Sequence, residues 1–220
     1  MRVIARLDIK NEFVIKGIHL EGLRKVGDPN TLALKYYKQG VDEIFFMDAV
    51  ASLYYRNNLF NIISEACRNI FVPITLGGGI RTLSDISNAL ESGADKVVIN
   101  TGAIRNIRFF VEASKRFGSQ CIVGSVQAKR VNNNWIAYIE NGREPTKFSI
   151  VKWAKILEES GAGEIVLTSI DQEGTQKGFD IEAAIELENA TNCPIIISGG
   201  YGKKIHLENL LTQTQPSAIA

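Results

Sequence analysis

The chain has 220 residues, of which 45% are hydrophobic and 22% charged, with 25 basic and 24 acidic side chains. That length suits one large domain with a substantial core, and the composition excludes a disordered or collagen-like chain. The near-zero net charge gives no reason to expect nucleic acid or an anionic membrane surface as partner. No run of 18 apolar residues occurs, so the sequence predicts no transmembrane segment.

The cysteines and the N-terminus indicate a cytoplasmic protein. Cys67, Cys121 and Cys193 lie far apart and form no CxxC motif, which favours reduced thiols over a disulfide framework or a zinc site. Charged residues between Arg2 and Lys10 interrupt the N-terminus before the apolar core of a signal peptide can form. We expect no metal and no other cofactor.

Short apolar, β-branched segments alternate with helical patterns along the whole chain. The strand-like segments are apolar throughout, as strands covered on both faces must be, and they occupy residues 3–9, 44–47, 72–76, 96–99, 121–126, 164–168, 194–197 and 217–220. The helical patterns occupy residues 30–39, 57–69, 82–92, 106–117, 149–160, 181–190 and 203–212. This alternation predicts an α/β fold, and eight strands favour a closed (β/α)₈ barrel, a TIM barrel that forms one domain over residues 1–220.

Two stretches depart from the regular barrel pattern. Residues 129–146 indicate an inserted hairpin after the fifth strand, turning at Asn141-Gly142. The eighth strand pattern coincides with the end of the chain, whereas such barrels typically need about 250 residues. We therefore expect a barrel that is truncated within its eighth strand and lacks the C-terminal helix.

An internal repeat indicates two half-barrels. The segment VDEIFFMDAVAS at 41–52 resembles GAGEIVLTSIDQ at 161–172, and ITLGGGI at 74–80 resembles IISGGYG at 196–202. The segment VIARLDIK at 3–10 likewise resembles IVGSVQAKR at 122–130. All three pairs share an offset close to 120 residues, which predicts a duplicated four-stranded unit.

Polar residues and glycines follow the predicted strands, at the end of the barrel where active sites of this architecture lie. The polar residues are Asp8, Asp48, Asn100, Thr101, Gln127, Thr168, Ser169, Asp171 and Ser198. Residues 77–79, next to Asn100-Thr101, form one glycine set that suits phosphate, and Gly174-Thr175 with Gly199-Gly200 form a second. Two sets favour a doubly phosphorylated ligand; the alternative is that these glycines only make tight turns.

Asp8, at the end of a buried strand, is a candidate general acid or base. The alternative is a structural carboxylate that is held by backbone amides or by a lysine such as Lys16. Its counterpart in the repeat is Gln127, which cannot transfer a proton at neutral pH.

Four charged residues precede strands at the opposite end of the predicted barrel: Arg2, Glu43, Lys96 and Glu164. Buried charges cost several kcal/mol per ion unless they pair, and two cations with two anions can pair. The cluster is therefore either a structural plug or a gate into the barrel interior, and spacing alone favours the plug.

The sequence resembles the cyclase subunit of imidazole glycerol phosphate synthase, a family of histidine biosynthesis. The resemblance covers the whole chain and includes ARLDIK at 5–10, MDAVAS at 47–52, TLGGGI at 75–80, GADKVVINT at 93–101, AKR at 128–130, GAGEIVLTSID at 161–171 and ISGGYGK at 197–203.

The resemblance implies a lyase that pairs with a glutaminase subunit at the N-terminal face of the barrel. Such an enzyme uses the partner's ammonia to convert a bis-phosphorylated ribulosyl aminoimidazole carboxamide into imidazole glycerol phosphate and aminoimidazole carboxamide ribotide. It implies a catalytic Asp8 and an ammonia gate formed by the four charges. Phosphate would bind at Gly79, Asn100 and Thr101 on one side and at Gly174 and Gly200 on the other. The remaining rim residues expected near substrate are Lys16, Asp48, Thr168, Ser169, Asp171, Glu173 and Ser198.

Three positions depart from the family pattern. Gln127 stands where the family has its second catalytic aspartate, and losing an acid–base group costs about 10²–10⁴-fold in rate. Glu173 stands where the family has an aspartate, and Arg6 occupies a position that is usually small. These departures keep two alternatives open: a paralogue that delivers ammonia with its glutaminase for amidination of a surface-polysaccharide sugar, and a silent subunit that only activates the glutaminase.

Overall fold

A computed structural model describes residues 1–51 and 59–220, and within them parallel strands close into a barrel. Each strand pairs with the next in register, and the last pairs with the first, Ala218 lying opposite Arg2. In order around the barrel the strands are β1 (Arg2–Lys10), β4 (Glu43–Asp48), β5 (Ile74–Gly77), β6 (Lys96–Ile99), β7 (Ile122–Val131), β10 (Glu164–Ser169), β11 (Ile195–Ser198) and β12 (Ala218–Ile219). The predicted TIM barrel is confirmed.

Helices cover the outside of the barrel, as the alternation predicted. They are α1 (Pro29–Lys38), α2 (Phe60–Ala66), α3 (Leu83–Glu91), α4 (Thr101–Arg105), α5 (Ile107–Phe117), α6 (Ile150–Glu159), α7 (Ile181–Ala190) and α8 (Lys204–Leu211). Thr82 and Asp180 cap their helices by accepting backbone N–H groups, as expected from their positions. The helix expected over 57–69 corresponds to α2, which spans Phe60–Ala66; positions 57 and 58 lie outside the described residues.

Two antiparallel hairpins rise from the barrel, one from each half. β7 continues to Val131 and pairs with β8 (Asn134–Ile139), which pairs with β9 (Glu144–Ser149), so the hairpin predicted over 129–146 is confirmed. The sequence predicted Gln127 at the end of its strand, but β7 continues to Val131, so Gln127 lies inside the strand. β1 likewise continues into β2 (Phe13–Ile18) and β3 (Glu21–Gly27), a hairpin that was not predicted.

The core has two layers separated by the barrel wall. Outward-facing residues such as Leu7 and Ile9 pack under the helices in the larger cluster. Inside the barrel a smaller apolar layer is formed by Ile4, Phe45, Val98, Val123, Val166, Ile196 and Ala218. No helix in the described part of the chain has the length and apolarity needed to cross a bilayer.

Candidate active site

The inner face of β1 shows how the barrel separates its two chemical ends. Because side chains alternate along a strand, Arg2, Ile4, Arg6 and Asp8 all belong to the inner face. Arg2 lies at the N-terminal end, Ile4 lies in the apolar layer, and Arg6 and Asp8 line a cavity at the C-terminal end. Charge at both ends is thus separated by a layer of hydrocarbon.

The four charges at the N-terminal end come together as a closed ring of ion pairs, here called the floor ring. Arg2 contacts Glu43 at 2.8 Å and also pairs with Glu164. Lys96 lies 3.1 Å from Glu43 and 2.9 Å from Glu164. Glu43 is only 1% exposed and also accepts a hydrogen bond from Thr75 at 2.6 Å. The structure therefore brings together all four residues that the sequence analysis grouped.

A cavity of about 270 Å³ opens at the C-terminal end of the barrel. Of the predicted site residues, it is lined by Asp8, Asp48, Gly79, Asn100, Thr101 and Gln127. It is also lined by Arg6, Arg81, Arg105 and Glu140. Arg81 and Arg105 were not among the predicted site residues, although Arg81 directly follows the motif GGGI and Arg105 ends the short helix after Asn100. Arg105 pairs with Glu140 at 2.9 Å, and carboxylates line the cavity as well as arginines, so it carries charges of both signs.

The first glycine set lies at the wall of this cavity. Gly78 and Gly79 have φ of 91° and 73°, values that favour glycine. A Cβ on Gly78 would overlap the carbonyl oxygen of Asp48, so the chain passes too close to β4 for any side chain. Glycine here leaves the backbone accessible from the cavity, which is what binding of a phosphate through main-chain N–H groups requires.

The second glycine set has a steric explanation within the described residues. A Cβ on Gly174 would overlap the carbonyl oxygen of Gly17 in the first hairpin, and one on Gly200 would overlap that of Gly178. Gly178 also donates a backbone hydrogen bond to Gly200 at 2.9 Å. Unlike Gly78 and Gly79, Gly174 and Gly200 do not line the cavity, which favours the turn interpretation for this set; phosphate binding at Gly174 and Gly200 stays a prediction.

Asp8 is held by an arginine and not by Lys16. Arg6 Nε donates to Asp8 Oδ1 at 2.9 Å, and the two side chains are 9% and 14% exposed. Lys16 instead pairs with Glu173 at 2.5 Å, so the alternative in which Lys16 holds Asp8 is wrong. Burial lowers the pKa of Arg6, but the charges of Asp8 and Glu173 outweigh it and raise that pKa above its ordinary value. The guanidinium is therefore protonated throughout the physiological range.

Arg6 also explains the positions of two predicted rim residues. Its Nη1 donates to Thr168 Oγ1 at 2.8 Å and to Ser198 Oγ at 3.2 Å. Other rim residues hold the loops together: Ser169 donates to Asp180, and Asp171 accepts from the backbone of Arg130. Contact of these residues with substrate stays a prediction.

Gln127 and Asn100 each carry a buried amide oxygen that has no hydrogen-bond partner in the described part of the chain. The orientation of Asn100 is fixed because its Nδ2 donates to the carbonyl oxygen of Tyr138 at 3.1 Å. Asn100 Oδ1 is consequently an acceptor, whereas phosphate oxygens are themselves acceptors. The Asn100 side chain therefore fits a ligand N–H or O–H group, and a phosphate on this side would rely on backbone donors.

The thiols do not form a second site. Burial raises the pKa of Cys193 to about 12, with Glu158 and Glu164 contributing, and burial also raises the pKa of Cys67. A thiol that stays protonated is a poor nucleophile. The described residues contain no group of three or more His, Cys, Asp or Glu side chains arranged to hold a metal ion.

These features define the class of protein: a TIM-barrel protein with a polar, charged cavity at the C-terminal end and a ring of ion pairs closing the other. The family model described as histidine biosynthesis protein matches residues 2–220. The chain belongs to this family.

The curated relatives of the chain within this family share one name. The chain is 54% identical over 204 residues to imidazole glycerol phosphate synthase subunit HisF of Legionella pneumophila, covering 92% of this chain and 96% of the relative. It is 46% identical over 218 residues to the protein of the same name from a Hydrogenobaculum species, covering 99% and 86%. The HisF of Sulfurisphaera tokodaii is 45% identical over 210 residues, covering 96% and 84%. The resemblance found from the motifs is confirmed.

Proposed function

We propose that the chain is the cyclase subunit of an imidazole glycerol phosphate synthase, a lyase of histidine biosynthesis that acts in the cytoplasm. It takes ammonia from a separate glutaminase subunit, with which it forms a heterodimer at the N-terminal face of the barrel. Ammonia attacks a bis-phosphorylated ribulosyl aminoimidazole carboxamide, and imidazole glycerol phosphate and aminoimidazole carboxamide ribotide are formed.

The observation that carries this proposal is the arrangement of the barrel interior. The floor ring closes one end, the cavity with Asp8 lies at the other, and the apolar layer around Ile4 lies between them. An apolar passage disfavours ions but tolerates a small neutral molecule such as ammonia. In this proposal the floor ring opens to admit ammonia, and the cavity supplies the acid–base group and the anion-binding backbone.

Asp8 is the acid–base residue in this proposal, and phosphate binds at Gly79, Asn100 and Thr101. Support comes from their common cavity, which Arg81 also lines. Gly174 and Gly200 would bind the second phosphate through their backbone.

A second candidate function is favoured by the two positions of the acid–base pair, Asp8 and Gln127. Gln127 replaces a carboxylate, and Asp8 is engaged by Arg6. A barrel with an intact floor ring and a weakened acid–base pair would still conduct ammonia, which is the role of a subunit that delivers ammonia to a separate sugar-modifying enzyme.

A single assay separates these functions. The purified chain is given the bis-phosphorylated substrate with a high ammonium concentration, which bypasses the partner, and imidazole glycerol phosphate is quantified. Turnover by the wild-type chain supports the cyclase and excludes both the ammonia-delivery and the silent-subunit alternatives. Absence of turnover in the wild type together with turnover in Gln127→Asp contradicts the cyclase function.

A further inference from the structure

Arg6 is a buried cation placed between the apolar layer and the cavity. It follows Ile4 on the inner face of β1, one layer closer to the C-terminal end. Other strands of the barrel carry small, buried polar side chains: Ser125 on β7, Thr168 on β10 and Ser198 on β11. The guanidinium reaches β10 and β11 through its two Nη1 hydrogen bonds and so lies across the barrel interior.

Part of the guanidinium is left for a ligand. Nε bonds Asp8 and Nη1 bonds two hydroxyl groups, whereas Nη2 makes no hydrogen bond to the described residues. Arg6 lines the cavity, so the remaining donors lie where a ligand can reach them. An arginine has no acceptor and does not release its proton near neutral pH. It can therefore recognise a lone pair without protonating it.

Gln127 supplies an unpartnered acceptor in the same cavity. Gln127 is 7% exposed, lines the same cavity, and its Oε1 has no partner among the described residues. In the strand ladder Gln127 pairs with Thr168, the residue that Arg6 Nη1 contacts. Burying an amide oxygen without a partner is unfavourable, so a ligand N–H group at this position would be favoured.

We propose that Arg6 receives ammonia at the inner end of the cavity, donating from Nη2 to the nitrogen lone pair while Gln127 Oε1 accepts an N–H bond. This inference rests on the proposed use of ammonia. Neutral ammonia offers one acceptor and three donors, which complements this pair of groups. Ammonium has no lone pair to accept the Nη2 hydrogen, so this pair of groups fits only the nucleophilic form.

Kinetics with ammonium salts test the assignment. Arg6→Met removes the charge and the donors at similar length, Gln127→Met removes the acceptor, and Arg108→Met, at an exposed position on α5, is the matched control. Losing a charge-assisted hydrogen bond of about 1.5–3 kcal/mol predicts an increase of about 10- to 150-fold in the KM for ammonia in Arg6→Met. Gln127→Met raises the same KM, and the KM for the phosphorylated substrate stays within about twofold.

Two kinetic outcomes overturn the proposal. One is an unchanged KM for ammonia in Arg6→Met. The other is a selective increase in the KM for the phosphorylated substrate, which assigns Arg6 to the substrate anion. Arg6→Lys keeps a cation with donors beside Asp8 and is expected to restore folding stability and part of the ammonia affinity. Recovery of stability without any recovery of the KM for ammonia would assign Arg6 a structural role only.

A binding measurement on the wild-type chain separates failure of this inference from failure of the proposed function. Arginine labelled with ¹³C and ¹⁵N is observed by ¹³C-detected NMR during titration with ammonium chloride at about pH 6 and about pH 10. The Arg6 resonance, assigned by its loss in Arg6→Met, is expected to shift saturably at alkaline pH only, with sodium chloride as control. No shift, or an equal shift at both pH values, contradicts the inference. A shift of the Arg6 resonance in a chain that shows no cyclase turnover supports ammonia binding at Arg6 and contradicts the cyclase function.

Discussion

The Nε of Arg6 lies 2.9 Å from the Asp8 carboxylate, two residues further along the inner face of the same strand. This pair replaces the alternative considered from the sequence, in which a lysine or backbone amides held Asp8 as a structural carboxylate. It also places a permanent cation beside the proposed acid–base residue. Both the stability of the barrel and the chemistry of the cavity therefore depend on the same contact.

Removing the cation leaves a buried carboxylate uncompensated. We expect Arg6→Met to lower the free energy of unfolding by about 3–5 kcal/mol, as is typical when one partner of a buried ion pair is lost. The double variant Arg6→Met/Asp8→Asn removes the orphaned charge and is expected to recover much of that loss. Urea unfolding of the two single variants and the double variant measures the coupling. Strictly additive effects would show that the pair contributes nothing specific.

The floor ring predicts an order among its two glutamates. Glu43 is 1% exposed and accepts from Arg2, Lys96 and Thr75, whereas Glu164 is 16% exposed and, among the described residues, pairs with the two cations alone. We therefore expect Glu43→Gln to destabilise the chain by about 3 kcal/mol and Glu164→Gln by less. The reason is that Glu43 is more buried and has more partners, so the loss of its charge leaves more groups unpaired. Urea midpoints at the same pH test the order, and a larger loss in Glu164→Gln would contradict it.

The same ring predicts an effect on ammonia transfer that follows from the proposed function. Breaking it with Glu164→Gln is expected to open the N-terminal end, so glutamine hydrolysis by the bound partner is less tightly coupled to product formation. The ratio of glutamate released to nitrogen incorporated is measured in the complex. A ratio equal to that of the wild type would favour the structural plug.

The sequence predicts the barrel well because its signal is local and repeated. Strands such as β6 (Lys96–Ile99) are short apolar runs between glycines and helix patterns, and buried parallel strands have to look this way. The first hairpin was missed because the apolar and polar residues of 13–27 do not alternate and three glycines interrupt the segment, so no strand pattern is complete. The internal repeat could have predicted it, since β1 and β7 both continue into a hairpin.

The site was only partly predictable. Strand ends identified Asp8 and Asn100, because barrel topology alone brings them to one rim. The partner of Asp8 was not predictable, because rotamers and distances decide whether Arg6 or Lys16 reaches it. The same holds for Asn100, whose amide orientation depends on a carbonyl of a distant hairpin, that of Tyr138.

Cys193 predicts a pH dependence of stability. Its pKa of about 12 in the folded chain lies above the ordinary value of 9.0, so the folded state favours the protonated thiol. The resulting stabilisation is fully present below about pH 9 and is lost as the pH rises from there toward about 12. We expect the wild type to lose stability in this window more steeply than Cys193→Ala, in urea titrations at matched pH values. Equal slopes of stability against pH in the two proteins would contradict the raised pKa of Cys193.

The same shift predicts the reactivity of the thiol. At about pH 8 the folded chain holds about 10³-fold less thiolate at Cys193 than an unfolded chain, because the two pKa values differ by about three units. Alkylation of Cys193, followed by peptide mass spectrometry, is expected to be correspondingly slow until urea unfolds the protein. Rapid modification in the native state would show that the thiol is accessible and ionised.

Gly78 and Gly40 form a matched pair for testing the first anion-binding set. Both have positive φ, 91° and 88°, but a Cβ on Gly78 would overlap Asp48 whereas one on Gly40 meets nothing within 4 Å. Gly40→Ala is therefore expected to cost about 1–2 kcal/mol for backbone strain alone. Gly78→Ala is expected to cost more, because β4 must also move.

Gly78→Ala should also lower the affinity for inorganic phosphate by at least about tenfold, measured by calorimetry, while Gly40→Ala leaves that affinity unchanged. Equal phosphate affinity in the two variants would place the anion site elsewhere on the rim.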